Sequence, residues 1–247
     1  MPSANALVLG ADRALYTGDM PATGQHRHAC PVFLLGLSGR FALHLPGGSV
    51  VTCHSALVGT GVEHVFDPQG EQVAVMYLEP DAPETRALLP WLARHGGVML
   101  DPAVRVGSRS VVQARLCSFD LPALLAFRLE AAAPLDPRIA QGIRSLRQGG
   151  GVAVNRNAAA AAAHLSASRF NHLFRQEAGV SFRSYRVWAQ VRSALAGLAT
   201  SPRLTDAALE GAFVDSSHFS RTFRQTFGMT PSSVLKPLRS VTLVRGR

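Results

Sequence analysis

Along the first third of the chain, apolar residues come in short runs separated by glycine and proline. Val32–Leu35, Phe41–Leu45 and Val73–Leu78 are strand-length runs. Gly36 and Ser38-Gly39 lie between the first two, and Pro46-Gly47-Gly48 is a turn signal before the extended pattern resumes at Ser49–Thr52. Many short strands at close spacing predict a small β-barrel or sandwich over residues 1–82. The pattern then becomes helical over 83–133, with Thr85–Arg94 and Leu121–Ala132 the clearest pieces. Pro134-Leu135-Asp136-Pro137 marks a boundary. Residues 134–247 read as helix throughout, apart from a Gly149-Gly150-Gly151 loop. The expected fold class is α+β: an N-terminal barrel, a helical linker, and an all-α C-terminal domain.

The helical half repeats itself at an offset of 49 residues. Phe170 falls on Phe219, Phe174 on Phe223, Arg175 on Arg224, Gln176 on Gln225 and Gly179 on Gly228. Ser168 meets Ser217, and the expected N-caps Ser166 and Asp215 coincide. Each copy predicts a short helix, a tight turn and a second helix. The short helices are Arg156–Ala163, capped by Asn155, and Asp206–Ala212, capped by Thr205. The turns are His164-Leu165 and Phe213-Val214. In the second helices, Phe170, Leu173 and Phe174, then Phe219, Phe223 and Phe227, share one apolar face. Ser168, Asn171, His172 and Arg175, then Ser217, Ser220, Arg221 and Arg224, share the polar one. This is helix-turn-helix construction, with each second helix free to enter a major groove. The alanine run Ala158–Ala163 reads as good helix former, not as a site.

Charge sharpens that reading. Residues 135–247 carry 15 Arg and one Lys against five acids, a net +11. Residues 1–134 carry nine Arg against 11 acids, a net −2, and the halves together give the +9 of the whole chain. A strongly basic half attracts a polyanion, and double-stranded DNA is the partner expected. The absence of a long uncharged apolar run predicts no membrane span. No signal peptide is read at Met1–Asn5. Cys30, Cys53 and Cys117 are too scattered for a disulfide framework and fit a reducing cytoplasm. Cys53 and Cys117 read as small apolar fillers.

The second copy, Asp215-Ser216-Ser217-His218-Phe219-Ser220-Arg221-Thr222-Phe223-Arg224 continuing to Phe227-Gly228-Met229-Thr230-Pro231, resembles the signature of the AraC/XylS family of transcription regulators. Asp136-Pro137-Arg138-Ile139 resembles the start of that family's DNA-binding domain. The resemblance covers about 110 residues. It implies two helix-turn-helix units joined by a long helix, here about Phe182–Leu198, reading adjacent major grooves ~34 Å apart. The base-reading positions implied are Ser168, Asn171 and His172, then Ser216, Ser217 and Arg221. Arg175 and Arg224 are implied as phosphate contacts. Two departures stand out: Ala212 replaces the usual glycine before the turn, and His172 stands where arginine is common.

The N-terminal half resembles, more loosely, the cupin-like sensor domain of many members of that family. Gly24-Gln25-His26-Arg27-His28 is similar to the first cupin motif, and Gly61-Val62-Glu63-His64-Val65-Phe66 to the second. Strand alternation would put His26, His28 and Cys30 on one face. With His64 they form a candidate effector or transition-metal site for Zn, Ni, Cu or Fe. The alternatives are an organic-ligand pocket lined by the same histidines, or histidines that satisfy the core. The glutamate that metal-binding cupins carry after the pair is missing, with Val32 and Phe33 in that region. His44 and His54 are read as having no special role. The expected protein is a dimeric DNA-binding regulator sensing a small-molecule or metal effector, and meeting RNA polymerase if it activates. A metal-dependent cupin enzyme with an accessory basic domain is the rival. A constitutive DNA-binding protein with the cupin as dimer scaffold is a third reading.

Overall fold

The computed structural model describes residues 5–102, 116, 124–125, 128–148 and 155–244. The short apolar runs form strands β1 (Ala6–Leu9), β2 (Arg13–Gly18), β3 (Val32–Gly36), β4 (Phe41–His44), β5 (Val50–Cys53), β6 (Ser55–Val58), β7 (Val65–Asp67), β8 (Val73–Leu78) and β9 (Val98–Leu100). A tenth strand, β10 (Ser240–Leu243), comes from the C-terminus. They assemble into a seven-stranded sheet of order β10-β1-β2-β8-β3-β6-β9 and a three-stranded sheet of order β5-β4-β7. The expected small β-barrel is therefore corrected: among the described residues no barrel closes. The edge of the larger sheet is taken by β10, which pairs parallel with β1 from Ala6–Ser240 to Leu9–Leu243. A sequence run of Ser, Val, Thr and Leu carries no sign of which distant edge it will join.

All six residues of β2 are buried, as is most of β8, because both strands lie inside the sheet and are covered. Leu15, Phe33, Leu57, Met76 and Leu78 form the centre of the core, joined by Leu88 and Leu92 from α1 (Pro83–Arg94). Each fully buried side chain of this size contributes roughly 1.5–3 kcal/mol. Leu116, Leu124 and Leu125 close the same cluster. The expected helix Leu121–Ala132 is corrected at its end, where residues 128–132 are not helical; residues 121–123 and 126–127, together with Cys117 and Gly149–Gly151, lie outside the described residues.

The remaining helices are α2 (Pro137–Gln148), α3 (Arg156–Ala162), α4 (Ala167–Ala178), α5 (Phe182–Gly197), α6 (Leu204–Glu210), α7 (Ser216–Phe227) and α8 (Pro231–Leu235). Contacts divide the chain into two compact units. One is Met1–Ala132 with Phe223–Arg247, and the other is Ala133–Thr222. One dividing line falls next to the proline-rich boundary and the other runs inside α7. In the second unit, Phe170 and Phe174 of α4 meet Phe182 and Tyr185 of α5 with ring centroids 5.4–5.6 Å apart. These edge-to-face contacts lock α4 onto α5. Ser181 starts α5 by accepting from the Ser184 N–H.

Candidate DNA-contacting helices and a histidine cluster

Local capping defines both helix-turn-helix units. Asn155 Oδ1 accepts from the Ala158 N–H at 2.8 Å, Ser166 Oγ from Arg169 N–H at 3.2 Å, and Asp215 Oδ1 from His218 N–H at 2.6 Å. Thr205 does not cap α6. That helix begins at Leu204, with Arg203 at the N-cap and no side-chain bond there. The first helices consequently align at an offset of 48, not 49: buried Ala159 and Ala160 match buried Ala207 and Ala208. Leu165 N–H bonds Ala160 O just as Phe213 N–H bonds Ala208 O. The second turn holds one additional residue, the exposed Val214, which restores the 49-residue offset in the second helices. Each turn passes through a left-handed residue, His164 at φ 53° and Ala212 at φ 54°.

The two second helices, α4 and α7, bury Phe170 and Phe174, and Phe219, Phe223 and Phe227. Ser168, His172 and Arg175 are exposed on α4, with Asn171 half-buried. Ser217, Arg221 and Arg224 are exposed on α7, with Ser216 half-buried. Beside Asn171 lies a cleft of about 480 Å³ lined by Asn155, Arg156, Asn157, Ser181, Arg183 and Arg186, among others. Sequence reading missed this cleft, because its arginines come from two helices that only folding brings together.

The first unit holds the other candidate site. His26 and His64 form an isolated antiparallel bridge, exchanging N–H···O=C bonds of 3.1 and 3.0 Å. That bridge, rather than alternation along one strand, puts their imidazoles together. His26 Nδ1 lies 2.9 Å from the Gly24 carbonyl, and His64 Nδ1 lies 3.0 Å from the Val62 carbonyl. A carbonyl oxygen can only accept, so each Nδ1 carries the proton and each Nε2 presents a lone pair. His28 Nε2 sits 3.1 Å from His26 Nε2, which assigns its proton to Nε2 as donor. His28 Nδ1 is then a buried nitrogen with no hydrogen-bond partner.

All three rings are buried, with one ligand atom from each within 4.8 Å of the others. Burial holds all three neutral. It pushes His26 down to about 4, helped by the charge of His64, and lowers His28 and His64 as well. The Thr226 carbonyl, in the last turn of α7, favours the protonated His28 ring but is outweighed by burial. Cys30 is buried yet stands outside the three-histidine group. His44 and His54 are exposed.

Tyr77 and Phe227 complete the wall, and sequence reading gave neither a part in the site. Their centroids lie 5.0 and 5.9 Å from that of His28, and 5.2 Å from each other. Phe227 was legible as an apolar-face residue of its helix, but nothing local says that it meets a histidine some 200 residues away.

Residues 159–237 match the family model described as a helix-turn-helix domain. The chain carries an AraC/XylS-type DNA-binding domain. This AraC/XylS-type domain extends from within α3 to just beyond α8. Among solved structures, ToxT from Vibrio cholerae O395 is similar with a TM-score of 0.60 at 11% identity, over 92% of this chain and 97% of its own. ToxT from the same strain bound to (E)-4-(8-methylnaphthalen-1-yl)but-3-enoic acid gives 0.58 at 12%, over 91% and 98%. Unsaturated fatty acid-bound wild-type ToxT from strain SCE256 gives 0.54 at 12%, over 97% and 98%. The likeness is one of fold: a sheet-rich N-terminal part followed by the helical AraC/XylS-type part. No curated protein sequence matches the chain. Among the described residues, no helix is long and apolar enough to cross a membrane.

Proposed function

We propose that this protein is a sequence-specific DNA-binding transcription regulator whose N-terminal domain binds a small effector. The observation that carries the reading is the doubled helix-turn-helix, each second helix capped at its start and polar on its open face, in the half that holds the +11 charge. Ser168, Asn171 and His172 of α4 and Ser216, Ser217 and Arg221 of α7 read base edges. Arg175 and Arg224 bind phosphates, and Arg183 and Arg186 of the cleft beside Asn171 add to the positive field. Arginine supplies a bidentate pair to guanine, and asparagine one to adenine.

The effector is an organic ligand or a metal. A ToxT-like fold that elsewhere holds an unsaturated fatty acid supports a ligand-binding N-terminal domain. An effector that prefers one conformation of that domain shifts the DNA-binding equilibrium by its differential affinity. A homodimer, contacting RNA polymerase if it activates, is the assembly proposed, and the reaction class is binding rather than catalysis.

The test is selection of duplexes by the full chain from a random pool. Enrichment of two short motifs about 10–10.5 bp apart supports the reading. A pool that stays random while binding remains salt-sensitive overturns sequence specificity.

A further inference from the structure

We infer that His26, His28 and His64 form a divalent transition-metal site whose occupancy is linked to the second DNA-contacting helix through Phe227 and Gly228; the DNA half of this linkage rests on the function proposed above. The donor set comes first. His26 and His64 already have their Nδ1–H groups held by the carbonyls of Gly24 and Val62, so both Nε2 lone pairs face a ligand, that of His26 once His28 gives up its hydrogen bond to it. Backbone carbonyls that fix the tautomer and ring orientation are the outer-sphere partners that metal-bound imidazoles require. The three ligand atoms already lie within 4.8 Å of one another. Three nitrogens at about 2.0–2.1 Å, with water as the fourth ligand, suit Zn²⁺ and its borderline neighbours.

His28 supplies the linkage. Without metal, its Nε2–H donates to His26 Nε2, and its Nδ1 is left buried without a partner. A metal on Nε2 displaces that proton, and the neutral ring then carries its proton on Nδ1. The site releases no net proton, because the tautomer alone changes. The ring itself packs on Phe227, in the last turn of α7, with centroids 5.9 Å apart. Metal binding thus turns a buried unsatisfied acceptor into a donor on the ring that packs against Phe227. A buried group left unsatisfied is costly, so the arrangement is poised for the change.

The end of α7 is seated on the same cluster. Phe227 packs on His28 and Tyr77. Gly228 accepts from the Gly24 N–H at 2.7 Å, and a Cβ on it would stand 2.8 Å from His26 Nδ1. α7 is one continuous helix, and its first turns carry Ser216, Ser217 and Arg221. Movement at its last turn is movement of the base-reading face.

The experiment uses the full chain, chelated and then titrated with Zn²⁺, and with Co²⁺ as an absorbing substitute. One equivalent per chain is expected, with Co²⁺ giving the intense visible bands of a four-coordinate site. His28→Gln and His64→Gln should each lose both signals. Zn²⁺ should change affinity for the selected duplex at least about fivefold, and that duplex should change Zn²⁺ affinity by the same factor. Phe227→Leu, compared at metal concentrations that saturate the site, should shrink the reciprocal factor. Less than about one-tenth of an equivalent of metal overturns the site, whatever DNA does. Full metal loading with unchanged duplex affinity overturns the linkage. If no duplex is selected, the function proposal fails, and the metal stoichiometry still decides the site.

Discussion

The Gly24 N–H donates to the Gly228 carbonyl at 2.7 Å, joining the residue two before His26 to the residue just past α7. Gly228 is left-handed at φ 70°, and a Cβ there would fall 2.4 Å from the Gly24 oxygen. Two independent reasons therefore demand glycine. Gly61 is also left-handed, at φ 76°, but has open space around it. Gly61→Ala should cost about 1 kcal/mol, the conformational strain alone. Gly228→Ala should cost at least about 2 kcal/mol, because overpacking is added. Urea midpoints of the two variants check this, and equal losses would refute the close approach.

The turn of the second helix-turn-helix divides the tasks usually given to one glycine. Ala212 takes the left-handed conformation, while Gly211 takes the close approach, its absent Cβ lying 2.6 Å from the Gln190 carbonyl. Ala212→Gly should raise stability by about 0.5–1 kcal/mol, since relief of strain exceeds the added freedom of the unfolded chain. Gly211→Ala should destabilise by roughly 1–3 kcal/mol as α6 is pushed off α5. Thermal melts of both variants suffice, and a lower melting temperature for Ala212→Gly would contradict the assignment.

Acid should weaken the first unit in a defined window. Burial depresses His26 to about 4 and lowers His28 and His64, so the folded chain refuses protons that the unfolded chain takes up below about 6.5. Stability from this source is complete above that pH and declines as pH falls toward 4. The expected slope is about 1.4 kcal/mol per pH unit for each imidazole involved. Among the described residues, Tyr77 also faces the cluster, and burial raises it further above its already alkaline range. Asp136, lowered to about 2 chiefly by its hydrogen bonds with Arg138, acts only in a more acidic window. Chelated protein unfolded in urea between pH 7.5 and 4.5 gives the slope. His26→Gln should flatten it, and an unchanged slope would count against the buried neutral cluster.

Salt and substitution separate affinity from specificity. If the basic half neutralises phosphates, log affinity should fall linearly and steeply with log salt. Arg224→Ala should weaken binding to all duplexes about equally and reduce that slope by about one. Arg221→Ala should cost roughly 1–3 kcal/mol on the selected site and relax preference at one base pair. Competition binding against random duplex distinguishes them, and equal losses on specific and random DNA would remove Arg221 from base reading.

What could be read from the chain alone was what short-range physics controls. The caps Asn155, Ser166 and Asp215 bond N–H groups three residues away, and the apolar spacing of Phe170–Phe174 and Phe219–Phe223 is set by one helix. Those interactions are complete within a dozen residues, so the repeated helix-turn-helix was visible without a structure. Thr205 misled because the helix starts two residues earlier than expected, at Leu204 rather than Asp206, and the shift from 49 to 48 is hidden by the additional Val214. The histidines His26, His28 and His64 were visible as residue types at suggestive spacing. Their convergence is decided by a backbone bridge between segments 38 residues apart, and that bridge leaves Cys30 outside. The open pair of sheets, the edge position of β10 and the meeting of Phe227 with His28 depend on which distant surfaces bury one another. Burial is non-directional, and many sequence partners could satisfy it equally well. Only the folded chain selects among them.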